Sequence, residues 1–112
     1  MSKKRKRRRK PSTLWVFYNH FNKTCFGNKL LLPRVLKFAK QDEDGLTSWR
    51  FTGEVEITIH EDLRNHLDLA AVVLLHEMAH VSMGYDYSGD HGMRFEAEMV
   101  RLFMAGAYDK IL

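Results

Sequence analysis

The chain has 112 residues, 45% of them hydrophobic, with one cysteine and a formal net charge of +4. That length allows one domain with one modest core, a lone Cys25 excludes an internal disulfide and suits a reducing, intracellular compartment, and no apolar run approaches the roughly 18 residues a membrane span needs. The net charge hides a division: Lys3, Lys4, Arg5, Lys6, Arg7, Arg8, Arg9 and Lys10 hold eight of the eighteen basic residues, which leaves ten basic against fourteen acidic residues elsewhere, a net charge of −4.

Residues 1–11 therefore read as a basic arm and residues 12–112 as the folded domain. Adjacent like charges repel, so the arm cannot fold alone; it suits a polyanion, and in a nucleated cell it would also serve as a nuclear import signal. It does not open a signal peptide, because Asn19, His20, Asn22, Lys23 and Asn28 interrupt the stretch that follows. Ser12 or Thr13 can cap a helix over about 14–24, with Leu14, Phe17, Tyr18 and Phe21 as its apolar stripe. Cys25 reads as a small core residue, and Gly27-Asn28 as the break. Strands are predicted over about 34–40, 47–51 (Trp49 and Phe51 on one side) and 54–60, where Val55, Ile57 and Ile59 alternate with polar residues. The tight polar turns between them suggest a small, mostly antiparallel three-stranded sheet. A buried helix follows over about 67–83, stopped by Gly84, and a last helix runs over about 92–107. Asp90 suits its cap, with Phe95, Met99, Leu102 and Phe103 as its inward stripe. The fold class is α+β, a small sheet packed with an N-terminal, a central and a C-terminal helix.

His76-Glu77-Met78-Ala79-His80 closes the apolar run of the central helix. Residues four apart share a helix face, so His76 and His80 can hold one zinc ion between them, and Glu77 is close enough to take a proton from its bound water. Catalytic zinc usually has three protein ligands, and Asp86, His91, Glu96 and Glu98 are the candidates for the third. His91 opens the last helix just after a short loop and can turn back toward the pair, which favours it. Asp86 lies ten residues after His76, the metzincin position, but that pattern wants glycine where Met83 stands. His20, His60 and His66 read as surface or hydrogen-bonded histidines. The strand over 54–60 would align an extended peptide by β-addition, or is a plain core strand. Tyr85, Tyr87 and Arg94 are near enough in sequence to donate to an oxyanion.

Together these pieces resemble the SprT-like zinc metallopeptidases, zincin-like enzymes whose eukaryotic members include the DNA-dependent protease Spartan. The resemblance runs through Tyr18-Asn19-His20-Phe21, Phe26-Gly27-Asn28-Lys29-Leu30, Val55-Glu56-Ile57-Thr58-Ile59, the H-E-M-A-H motif, and His91-Gly92-Met93-Arg94-Phe95, which matches the family's H-G-x-x-F. It covers about residues 14–105. It implies a zinc-dependent peptidase with ligands His76, His80 and His91 and general base Glu77. Some members carry a cysteine zinc ribbon, which a single cysteine cannot build; the basic arm is the obvious substitute for holding nucleic acid. The expected partners are a protein substrate, DNA-bound in the fullest version, and nucleic acid through the arm, with no membrane; the domain is expected to act as a monomer in cytoplasm, nucleoid or nucleus. Two rivals stand beside this reading. A YbeY-type zinc endoribonuclease would want other residues at Glu77 and Asp86. A nucleic-acid-binding accessory protein with a structural zinc would have no use for the Glu77 carboxylate.

Overall fold

The computed structural model describes residues 12–84 and 92–109. The basic arm, Asp86, Asp90 and His91 lie outside the described residues. The first helix, α1 (Thr13–Cys25), starts at Ser12, whose extended backbone lets its hydroxyl accept the Trp15 N–H at 3.3 Å. It ends where Gly27 and Asn28 adopt left-handed backbone, at φ 61° and 62°. Two polar side chains of α1 then fasten the outgoing segment. Asn22 Oδ1 accepts the Leu30 N–H at 3.1 Å, and the buried Tyr18 hydroxyl donates to the Leu31 carbonyl. Burial pushes the Tyr18 pKa far above the ordinary tyrosine range, so it remains a donor.

Three strands form one sheet: β1 (Val35–Ala39), β2 (Gly45–Trp49) and β3 (Val55–His60), in the order β1-β3-β2. The sheet is mixed rather than mostly antiparallel. β3 pairs antiparallel with β2, Thr47 opposite Ile57, and parallel with β1, Leu36 opposite Ile57. The strand with the cleanest alternation takes the middle: Val55, Ile57 and Ile59 are all buried, and only a central position covers that face fully. A peptide therefore cannot add to β3, because both its edges are taken; among the described residues the outer edges are those of β1 and β2. β2 also begins and ends two residues earlier than expected. Arg50 N–H donates to the Glu54 carbonyl and Gly53 N–H to the Arg50 carbonyl, closing a turn over 50–54 with Gly53 at φ 95°. Phe51 falls in that turn, fully exposed, and shares no strand face with Trp49.

After a 3-10 turn, Glu61–Asn65, comes α2 (Leu67–Met83). It packs on α1, on β2 and β3, and on the last helix, α3 (Met93–Met104). Ala70, Ala71, Leu74, Leu75, Met78, Ala79 and Val81 are buried around much of its circumference, as a helix apolar on most sides requires. Gly84, at φ 88°, ends it, its N–H returning to the Val81 carbonyl. α3 turns Phe95 and Leu102 inward with Met99 half-buried. Phe103 points out instead, 67% exposed beside Val100 and Met104, because one residue past Leu102 is a rotation of about 100° around the helix. The N-cap position of α3 belongs to Gly92, with no side-chain cap, rather than to Asp90. No helix among the described residues is long and apolar enough to cross a membrane.

Candidate metal centre

α2 carries the motif and places all three of its polar residues. His76 and His80 lie one turn apart with ring centroids 5.1 Å from each other. Glu77 and His80 are 6% and 4% exposed, unusual burial for groups that carry or can gain charge. Phe95 of α3 completes the pair's surroundings. Its ring stacks on His80 at 4.4 Å and 24°, and meets His76 edge-on at 4.9 Å and 63°. In the sequence Phe95 reads as part of the inward stripe and as the end of the H-G-x-x-F match; its contact with both imidazoles makes it part of the site.

Glu77 is met from the sheet. The Thr47 hydroxyl donates to Glu77 Oε1 at 2.6 Å. Thr47 and Gly45 both lie on β2, on the side that faces α2. A cleft of about 260 Å³ opens here, lined by Asp44, Gly45, Val72, Val73, His76 and Glu77. Neither Thr47 nor Gly45 was legible as a site residue, since nothing in a short strand thirty residues upstream points to the motif.

The remaining candidates separate cleanly. Glu98 is held by Arg101, whose Nε and Nη2 donate at 2.7 and 3.0 Å, and by the Ser82 hydroxyl at 2.8 Å. Burial works to raise the Glu98 carboxyl, but those hydrogen bonds and the Arg101 charge outweigh it and hold it below the ordinary range. That engagement ties the carboxylate to its own helix and to Ser82 of α2. Glu96 is exposed. His60 Nδ1 accepts the Asp62 N–H at 3.0 Å and caps the 3-10 turn, and His66 stands exposed before α2. His20 is exposed on α1. Arg94 is exposed and lines a shallow cleft with Ser82 and Glu98, while Tyr85 and Tyr87 lie outside the described residues.

The donor chemistry fits a zinc ion: two imidazoles on one helix face, oriented by a packed ring, with a carboxylate beside them. Among the described residues no third His, Cys, Asp or Glu joins them in a metal-holding group. The third-ligand candidates His91 and Asp86 both lie outside the described residues.

This arrangement sits in a fold already seen in a solved structure. The crystal structure of the metallopeptidase zymogen of Methanocaldococcus jannaschii jannalysin superposes with a TM-score of 0.58, covering 97% of this chain and 92% of that one at 19% identity. The chain has the fold of a metallopeptidase. It matches no protein-family model and no curated protein sequence.

Proposed function

We propose that the chain is a zinc-dependent peptidase of the SprT-like kind, with His76, His80 and His91 as ligands and Glu77 as general base. One observation carries this reading: within a metallopeptidase fold, a buried carboxylate follows the first of two imidazoles that share a helix face, and it is held at the wall of a cleft. A zinc ion held by the three histidines would supply the Lewis acid that brings a water's pKa toward about 7. Glu77 then accepts a proton from the attacking water and later delivers it to the leaving amine. Its Oε1 accepts a hydrogen bond from the Thr47 hydroxyl, which fixes the direction of the carboxylate. An extended substrate chain would pair with the outer edge of β2, the strand that touches Glu77. The basic arm would hold the enzyme on nucleic acid, making DNA-bound proteins the natural substrates.

The test is Glu77→Gln, which keeps size and removes the proton acceptor. With zinc content matched, hydrolysis of an unfolded protein should fall by about 10²- to 10⁴-fold. An unchanged rate would remove Glu77 from the chemistry.

A further inference from the structure

A general base must point its carboxylate in one direction, and a glutamate has three side-chain torsions with which to miss. Glu77 is buried on α2, yet the group that contacts its Oε1 comes from the sheet. The 2.6 Å separation between Thr47 Oγ1 and Glu77 Oε1 lies in the range of a hydroxyl donating to an ionised carboxylate. Thr47 is a β-branched residue on a strand, stiff about its first torsion, so the donor is itself fixed. Two residues earlier on the same face of β2 stands Gly45. A Cβ there would lie 2.6 Å from Val73 Cγ1, 2.9 Å from Glu77 Oε2 and 3.0 Å from Glu77 Cγ. The backbone of Gly45 is not left-handed, so conformation does not demand glycine here; space does. One strand thus grips one carboxylate oxygen and clears room for the other beside the cleft.

We propose that Thr47 is a positioning residue for Glu77, and that Gly45 is the clearance that positioning needs. The inference rests on Glu77 being the general base, and its consequence is specific. Loss of the hydroxyl frees the carboxylate to leave its productive direction while substrate contacts along the cleft persist. A misplacement of this kind costs up to about 10²-fold in turnover.

The full chain serves for two measurements. In the first, thermal unfolding with EDTA present is followed for Thr47→Val, Glu77→Ala and the double variant. Thr47→Val should lower Tm by about 5 °C or more in the parent and by almost nothing once Glu77 is alanine. Equal shifts in both backgrounds would show that Thr47 acts on something other than Glu77 and overturn the proposal. In the second, kcat and KM are measured with zinc on quenched fluorescent casein. Thr47→Val should lose about 10- to 100-fold in kcat with KM within about threefold, Gly45→Ala should show the same split, and Thr47→Ser should restore most of kcat. A Thr47→Val kcat within about twofold of the parent, or a serine variant as poor as the valine one, would overturn the positioning role. Glu77→Gln separates the two failures. If it still hydrolyses casein, the general base is wrong and the catalytic half of this inference falls with it, while the Tm coupling is judged independently. If it is inactive and Thr47→Val is unimpaired, the positioning role alone falls.

Discussion

His76, Glu77 and His80 announce themselves because their chemistry is local: the four-residue spacing that puts two imidazoles on one face is written in five consecutive letters. The third ligand of the proposed site is not local. His91 lies eight residues past the end of α2 in the sequence, and the test of its role is metal retention. His91→Ala should lose most of the bound zinc while Asp86→Ala keeps it, measured as metal content after dialysis; the reverse result assigns the ligand to Asp86. Other residues that shape the site are silent in the sequence for the same reason. Thr47 and Gly45 are ordinary strand residues until the fold brings β2 against Glu77. Glu98 looked available as a carboxylate, and only its contacts with Arg101 and Ser82 show that it is engaged.

At the level of elements, hydrophobic periodicity reveals which face of a strand is buried but not which strand lies next to it. The alternation of Val55, Ile57 and Ile59 fixes β3 as half-buried on the inward side. Its insertion between β1 and β2 follows from competition for the middle of the sheet, a comparison between strands that no single stretch contains. The helices were more legible: Ser12 at the start of α1 and Gly84 at the end of α2 act through local backbone bonds, so their residue types are enough. α3 is legible as a helix whose apolar stripe packs on α2, but which ring of that stripe meets the imidazoles is a tertiary matter that periodicity does not specify. Phe95, 5% exposed against both imidazoles, joins these two roles. Phe95→Ala should lower stability by about 3 kcal/mol, read by chemical denaturation. It should also weaken zinc binding by about tenfold, read by chelator competition, as loss of support around ligands does. Stability loss without any change in metal affinity would reduce Phe95 to packing.

For the whole molecule, charge divides the work. The body is net negative and should repel nucleic acid, so binding should belong to residues 3–10 and ignore base sequence, since that stretch has no aromatic residue to stack on bases. On duplex DNA, log affinity should fall against log salt with a slope of about −4 to −7 if five to eight charges engage. Removing residues 1–11 should abolish that binding and leave zinc content and thermal stability nearly intact. A truncated body that still binds DNA at moderate salt would locate the contact on the folded domain instead. The strand order carries a consequence for how the chain folds. β1 and β2 are neighbours in sequence yet never partners, so the sheet cannot be laid down strand by strand. The β2–β3 hairpin closes over a five-residue turn, whereas β1 must find β3 across the intervening hairpin, with Val35 opposite Glu56. Local closure comes first and the distant, parallel pairing last. In native-state hydrogen exchange the amides bonded between β1 and β3 should therefore open more readily than those between β2 and β3. The strand that holds the carboxylate would then belong to the most persistent part of the sheet, and slow unravelling would begin on the far edge, away from the chemistry.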